Sequence, residues 1–103
     1  MKFGLKENTI NKINAVFASH PTVEEVVIYG SRAKESEKQS SDIDLTIKGK
    51  NLSLSLLNRI AAEIDDLLLP YTIDLSVYSQ INNEDLLEHI ERVGKIFYKK
   101  PLS

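Results

Sequence analysis

Hydrophobic residues recur at helical spacing in three parts of the chain. The first predicted helix begins with Asn8 as its N-cap and stops at His20-Pro21, and its apolar stripe consists of Ile10, Ile13 and Phe17. The second, from Ser53 to Leu69 before Pro70, is predicted to be the main core helix because it has the widest stripe: Leu57, Ile60, Ala61, Ile64, Leu67 and Leu68. Asn83 is predicted to cap a last helix, which ends at Gly94.

Four other segments have the patterns of β-strands. Val23 to Tyr29 is rich in β-branched and aromatic residues and halts at Gly30, which predicts a buried strand. Asp42 to Ile47 and Thr72 to Tyr78 alternate between polar and apolar residues, as strands do. A short strand is also predicted at Ile96 to Tyr98.

The order of these elements predicts a single domain over residues 1–103, of the α/β (α+β) class. The elements follow as α, β, turn, β, α, β, α, without an internal repeat or a long linker. We therefore expect a small mixed β-sheet flanked by helices. The polar segment from Ser31 to Ser41 is predicted to be a helical turn and a loop, short enough for a hairpin-like return, so the sheet need not be purely parallel.

Composition excludes several classes of function. The 103 residues, 42% apolar and 27% charged, are typical of a globular domain with one modest core. A net charge of -2 gives no general attraction to nucleic acid, so we expect no direct nucleic-acid binding. The lack of cysteine excludes disulfides, thiolate zinc sites and cysteine nucleophiles. Without a signal peptide or an apolar stretch of about 20 residues, we expect a cytoplasmic protein with no membrane association.

Three aspartates form the candidate chemical site. Asp42, Asp44 and Asp74 occupy polar positions of strands that are otherwise apolar, so all three can share one face of the sheet. Carboxylates this close repel one another unless a divalent cation lies among them, and Mg²⁺ prefers such oxygen ligands together with phosphate oxygens. Two Mg²⁺ ions held there would suit nucleotidyl transfer. The alternative, that Asp-x-Asp is only the solvated face of an amphipathic strand, stays open at this point.

A glycine-serine turn adds a second candidate feature. Gly30 and Ser31 follow a buried strand directly, and there free backbone N–H groups and a hydroxyl would suit a phosphate chain. Taken alone, such a glycine is more often a simple turn former.

Together, Gly30-Ser31-Arg32-Ala33-Lys34 and Ser41-Asp42-Ile43-Asp44-Leu45 resemble the signature of the DNA polymerase β-like nucleotidyltransferases. In that superfamily a Gly-Ser turn precedes Asp-x-Asp by about a dozen residues, and a later strand supplies a third carboxylate, here Asp74. Because the chain has only 103 residues, with almost nothing outside this core, it resembles the minimal nucleotidyltransferases (MNT), the MntA-type antitoxin partners of HEPN toxins. The resemblance covers about Val23 to Tyr98.

The resemblance implies a role for each residue of the site. Gly30 and Ser31 would contact the triphosphate of ATP, Asp42 and Asp44 would hold two Mg²⁺ ions, and Asp74 would help to deprotonate the acceptor hydroxyl. Arg32 would either bind phosphate or brace the loop. The chain departs from the commonest pattern at Glu35, where many members have glycine.

The family also implies a partner and a reaction. Its members transfer AMP from ATP to a tyrosine of a HEPN toxin, so a hetero-oligomer is expected. Leu52, Leu54 and Leu56 lie partly off the core stripe and are either a partner contact or a frayed helix start. Two other hypotheses remain: a non-catalytic nucleotide-binding subunit that neutralises its partner by occlusion, and nucleotidyl transfer to a small hydroxylated molecule. No chemistry is assigned to His20 or His89.

Overall fold

The described strands form one four-stranded mixed sheet. The structure is a computed structural model and describes residues 2–30, 32–33 and 42–101. Its strands are β1 (Val23–Tyr29), β2 (Ile43–Gly49), β3 (Ile73–Val77) and β4 (Lys95–Lys99), in the order β3-β2-β1-β4. β1 runs antiparallel to β2 and β4, whereas β2 and β3 are parallel. The expectation of a mixed sheet is confirmed, including the antiparallel return from β1 to β2.

Three α-helices of the described residues flank this sheet, and a 3₁₀-helix follows β3 at Tyr78–Gln80. The α-helices are α1 (Glu7–Ala18), α2 (Leu54–Asp65) and α3 (Glu84–Val93). The predicted cap of the last helix is confirmed, because the Asn83 side chain accepts a hydrogen bond from the Leu86 amide at 3.1 Å. In the part of the chain that the structure describes, no helix has the length and apolar character needed to cross a membrane.

Two helix boundaries differ from those predicted. Asn8 lies inside α1 and Lys6 takes the N-cap position without a capping side-chain bond, so the predicted cap is wrong. The second helix ends at Asp65 rather than Leu69. There the Leu68 amide bonds to the Asp65 carbonyl, and Leu68 takes a left-handed φ of 55°. This tight turn breaks the helix before Pro70 is reached.

The main core lies between one face of the sheet and helices α1 and α2. Strand residues on this face alternate along the chain as the pattern predicts, and Ile28, Ile43 and Leu45 are fully buried. They pack against Phe17 of α1 and Ile60 of α2. The opposite face has a smaller cluster, in which Val27 and Tyr29 pack against α3. This second face also contains the polar positions of β2 and β3.

The leucines at the start of α2 contribute mainly to the core. Leu52 and Leu56 pack partly buried against the main core, whereas Leu54 is 63% exposed. Of the predicted patch, only Leu54 therefore presents a large apolar surface to solvent.

Candidate active site

The strand register aligns two candidate aspartates and a tyrosine in one row. Tyr29 at the end of β1 pairs with Asp44 of β2, and Asp44 pairs with Asp74 of β3. Directly paired residues project from the same face of a sheet, so the two carboxyl groups and the phenol are neighbours on the face that packs against α3. The parallel pairing of β2 with β3 thus joins carboxylates that are 30 residues apart in sequence.

The third aspartate lies at the edge of this row. Asp42 is exposed and precedes the first residue of β2, whereas the predicted strand began with it. Asp44 is half-buried and Asp74 is exposed. The row therefore opens toward solvent on the side of Asp42 and Asp74.

The carboxylates influence one another electrostatically. Burial raises the pKa of Asp44, and the negative charges of Asp74 and then Asp42 raise this pKa further. The charge of a protonated His89 acts in the opposite direction and lowers the pKa of Asp44. Burial also raises the pKa of Tyr29. The hydroxyl of Ser76 acts against this rise, and the charges of Asp44 and Asp74 add to it, so the phenol stays protonated at neutral pH. The site thus concentrates negative charge that a cation would relieve.

The carboxylate oxygens are suitable ligands for Mg²⁺, but among the described residues they do not form a complete coordination sphere. Among the described residues, no three or more His, Cys, Asp or Glu side chains are grouped closely enough to hold a metal ion alone. Magnesium commonly takes only one or two protein carboxylates and completes its octahedron with phosphate oxygens and water. The repulsion between the Asp44 carboxylate and its acidic neighbours, and the oxygen donors that they offer, therefore suit a Mg²⁺ ion that binds together with a nucleotide.

Gly30 forms the turn directly beside Asp44. Its φ of 77° is in the left-handed region, where glycine is tolerated far better than other residues. A Cβ atom at this position would lie 2.6 Å from Asp44 Oδ2, so any side chain here would force the Asp44 carboxylate to move. Ser31 and the polar segment 34–41 lie outside the described residues, so the role predicted for Ser31 stays a prediction.

Arg32 follows Gly30 by two residues, and its contacts hold its side chain inside the protein. The side chain is fully buried, and its Nη1 donates a hydrogen bond to the Phe3 carbonyl at 3.0 Å. The guanidinium also lies 5.0 Å from the ring centroid of Tyr71. Of the two roles left open for Arg32, these contacts favour bracing the loop over direct binding of phosphate.

His89 is a site residue that the sequence did not reveal. Its Nε2 accepts a hydrogen bond from the Gly30 amide at 3.3 Å. Its ring lies edge-on to Tyr29, with 6.3 Å between the ring centroids. No local pattern distinguishes this histidine from an ordinary residue of an amphipathic helix. The packing of α3 against β1 alone brings it to the glycine turn.

The comparisons with known proteins agree with this geometry. A family model described as polymerase beta, nucleotidyltransferase matches residues 11–101. No curated protein matches the chain. Among solved structures, a chain of a toxin-antitoxin complex with AMP-PNP superposes with a TM-score of 0.69 at 21% identity, over 93% of this chain and 75% of that chain.

Two further solved structures have the same fold. A chain of the complex between a tri-AMPylated Shewanella oneidensis HEPN toxin and its MNT antitoxin gives a TM-score of 0.69 at 17% identity, over 93% of this chain and 74% of that chain. A nucleotidyltransferase-like protein of Sulfolobus solfataricus gives 0.53 at 19% identity, over 96% of this chain and 89% of that chain.

Proposed function

The chain belongs to the polymerase β nucleotidyltransferase family, and from that premise we propose that it transfers AMP from ATP to a tyrosine of a HEPN-type toxin and so acts as its antitoxin. One observation carries the proposal: the register that pairs Asp44 with Asp74 directly beside the Gly30 turn. This arrangement combines acidic groups for cations with a turn that has no side chain of its own, as a bound triphosphate requires.

Each residue of the site has a distinct task in the proposal. The triphosphate lies along Gly30 and Ser31, and the lack of a Cβ atom at Gly30 allows a close backbone approach. The Gly30 N–H is donated to His89 Nε2, so it is not the free phosphate donor that the sequence predicted. Asp42, Asp44 and Asp74 would hold the two Mg²⁺ ions. Once bound, the ions would neutralise phosphate charge and stabilise the attacking and leaving oxygens.

The proposed reaction is an in-line displacement at the α-phosphorus of ATP. The tyrosine oxygen of the acceptor forms a bond to this phosphorus, and the bond from phosphorus to the bridging oxygen of pyrophosphate breaks. The leaving pyrophosphate keeps that electron pair. The phenolic proton passes to the Asp74 carboxylate, which is exposed and can release it to water.

Two considerations support a protein as the acceptor. Asp42 and Asp74 are exposed, so the carboxylate row is open to a second polypeptide. In addition, similar folds occur in complexes described as toxin-antitoxin with AMP-PNP and as a tri-AMPylated HEPN toxin with its MNT antitoxin. The proposal therefore includes a hetero-oligomer with the toxin, in the cytoplasm where ATP is abundant.

The decisive experiment measures transfer of labelled AMP. The chain is mixed with Mg²⁺, ATP labelled at the α-phosphate and a purified HEPN-type toxin, and label on the toxin is quantified. We expect Asp42→Asn with Asp44→Asn to reduce transfer at least roughly 1,000-fold, because the metal supplies several kcal/mol of charge stabilisation. The matched control is Asp65→Asn with Asp66→Asn, an equal charge change at exposed positions by the end of α2, which should leave transfer unchanged.

The carboxylate variant and the wild-type chain also test the two other hypotheses. If the Asp42→Asn, Asp44→Asn protein still protects cells from the toxin, occlusion without catalysis is the better account. If the wild-type chain labels a small hydroxylated compound such as an aminoglycoside and leaves the partner unlabelled, the acceptor is a small molecule. Either result would contradict the proposal.

A further inference from the structure

We infer that His89 is a positioning residue for nucleotide binding, which acts by holding the Gly30 amide in place beside Asp44. This inference deepens the proposed function and rests on it. It assigns a role to a side chain of α3, an element that contributes none of the candidate carboxylates.

The direction of the hydrogen bond defines the role of the imidazole. A backbone N–H can only donate, so His89 Nε2 accepts this bond with its lone pair. The ring is also held at its edge by Tyr29, which packs with Ile90 in the smaller core cluster. Tyr29 thus supports the side chain that fixes the turn.

The Gly30 amide needs a hydrogen-bond partner such as His89, because glycine itself does little to restrict its backbone conformation. With φ at 77° and no side chain, its peptide has more conformational freedom than that of any other residue type. The Asp44 carboxylate lies against it, since Oδ2 would be only 2.6 Å from a Cβ atom at Gly30. An amide released from His89 would have this carboxylate as a neighbouring acceptor and would compete with the cation for its oxygens.

The contact also limits what His89 does. Because its Nε2 lone pair is engaged by Gly30, this nitrogen is not free to accept a proton from the acceptor hydroxyl. The imidazole therefore acts through the glycine turn rather than on the reacting atoms. Its removal should weaken nucleotide binding more than it slows the chemical step.

Two substitutions distinguish the contribution of the His89 hydrogen-bond acceptor from that of its aromatic ring. His89→Phe keeps an aromatic ring against Tyr29 and removes the acceptor, whereas His89→Gln removes the ring and restores an acceptor near the position of Nε2. Binding of AMP-PNP with Mg²⁺ is measured by calorimetry, and KM and kcat are measured in the AMP-transfer assay. We expect His89→Phe to raise Kd and KM about tenfold with a smaller change in kcat, and His89→Gln to stay within about threefold of wild type.

The other histidine offers a matched control. His20 Nε2 lies 2.9 Å from Glu63 Oε1 in a contact between the end of α1 and α2, away from the carboxylate row. His20→Phe should lower the midpoint of thermal unfolding without changing Kd for AMP-PNP. The Gly30 amide resonance in a ¹H–¹⁵N spectrum should shift in His89→Phe and return toward its wild-type position in His89→Gln.

The outcomes separate this inference from the proposed function. If His89→Phe binds AMP-PNP as tightly as wild type, or if His89→Gln is as weak as His89→Phe, the positioning role is wrong. If the wild-type chain binds AMP-PNP but transfers no AMP, the proposed function fails, while the comparison of the two variants still decides the role of His89. If the wild-type chain does not bind AMP-PNP, both are overturned.

Discussion

The two faces of the sheet use the same strands for opposite purposes. On the face toward α1 and α2, neighbouring positions such as Ile28, Ile43 and Leu45 are fully buried and apolar. On the face toward α3, the paired positions are Tyr29, Asp44 and Asp74. Asp44 is half-buried and Asp74 is exposed. Successive residues of β2 thus alternate between the main core and the site.

This difference shows how a chain of 103 residues supports both a core and a reactive cluster. Apolar burial on one face stabilises the fold, because each buried aliphatic side chain contributes roughly 1.5–3 kcal/mol. On the other face, burial disfavours the charged form of Asp44, and the charges of Asp74 and Asp42 disfavour it further. The stability supplied by the first face allows the second to keep groups that reduce it.

The largest difference in stability should be found between substitutions at two adjacent residues of β2, Asp44 and Leu45. Leu45→Ala removes a fully buried side chain, so the free energy of unfolding should fall by about 2–5 kcal/mol. Asp44→Asn should not lower the free energy of unfolding. In buffer without divalent cations it should raise this free energy, because the negative charge of Asp44, which its neighbours repel, is removed. Urea unfolding of both variants measures this. A loss from Asp44→Asn similar to that from Leu45→Ala would mean that both faces serve stability alone.

A substitution at the glycine turn should affect the site more than the fold. Gly30→Ala places a methyl group 2.6 Å from Asp44 Oδ2, so we expect AMP transfer to fall by the order of 100-fold through misplacement of the carboxylate. The left-handed φ should cost a further ~1 kcal/mol of stability. Kinetics and urea unfolding give the two values.

Gly94→Ala is the matched control for this substitution. The added methyl group would lie 2.4 Å from the Ile90 carbonyl oxygen and 2.7 Å from Val27 Cγ1, in the apolar part of the α3 face. It should lower stability while leaving AMP transfer in the folded protein unchanged. Equal losses of transfer in the two variants would show that activity simply follows stability.

The smallest effect should be a pH dependence confined to the site face. The pKa of Asp44 is raised in the folded state, so the unfolded chain loses this proton first as the pH rises. In buffer without divalent cations, the free energy of unfolding should therefore fall from about pH 3.9, the ordinary aspartate pKa, until the raised pKa is passed. Above that pH the loss is complete.

Comparison with Asp44→Asn isolates this contribution. The difference in unfolding free energy between the variant and wild type should be smallest at low pH, should grow over the same interval, and should shrink when Mg²⁺ is added. Urea unfolding at a series of pH values measures the difference. A difference that does not change with pH would show that the Asp44 charge is not destabilised by the fold.

Much of this architecture follows from local sequence patterns. The alternation in β2 and β3 was sufficient to assign Asp44 and Asp74 to the polar face, because side chains in strands point to opposite sides in turn. The order of elements and the short connection after Gly30 were sufficient to predict a mixed sheet. The Gly-Ser turn and Asp-x-Asp indicated the family, which the match over residues 11–101 confirms.

Helix ends were predicted less well, because they depend on only a few weak interactions. Asn8 has the composition of a cap, yet α1 begins one residue before it. At the other helix, the turn that ends at Leu68 precedes the proline that was expected to stop it. Tertiary packing selects among such alternatives, since they differ little in intrinsic free energy.

The sequence by itself therefore determined which strand residues are polar, that the turn after β1 begins with a glycine, and to which family the chain belongs. Only the tertiary structure decided that Asp44 pairs with Asp74, that Arg32 binds the Phe3 carbonyl, and that His89 accepts a hydrogen bond from Gly30. The physical reason is the range of the interactions. Strand alternation repeats every two residues and is visible locally, whereas each of these contacts joins residues about 30 or more positions apart and exists only after the sheet and helices have packed.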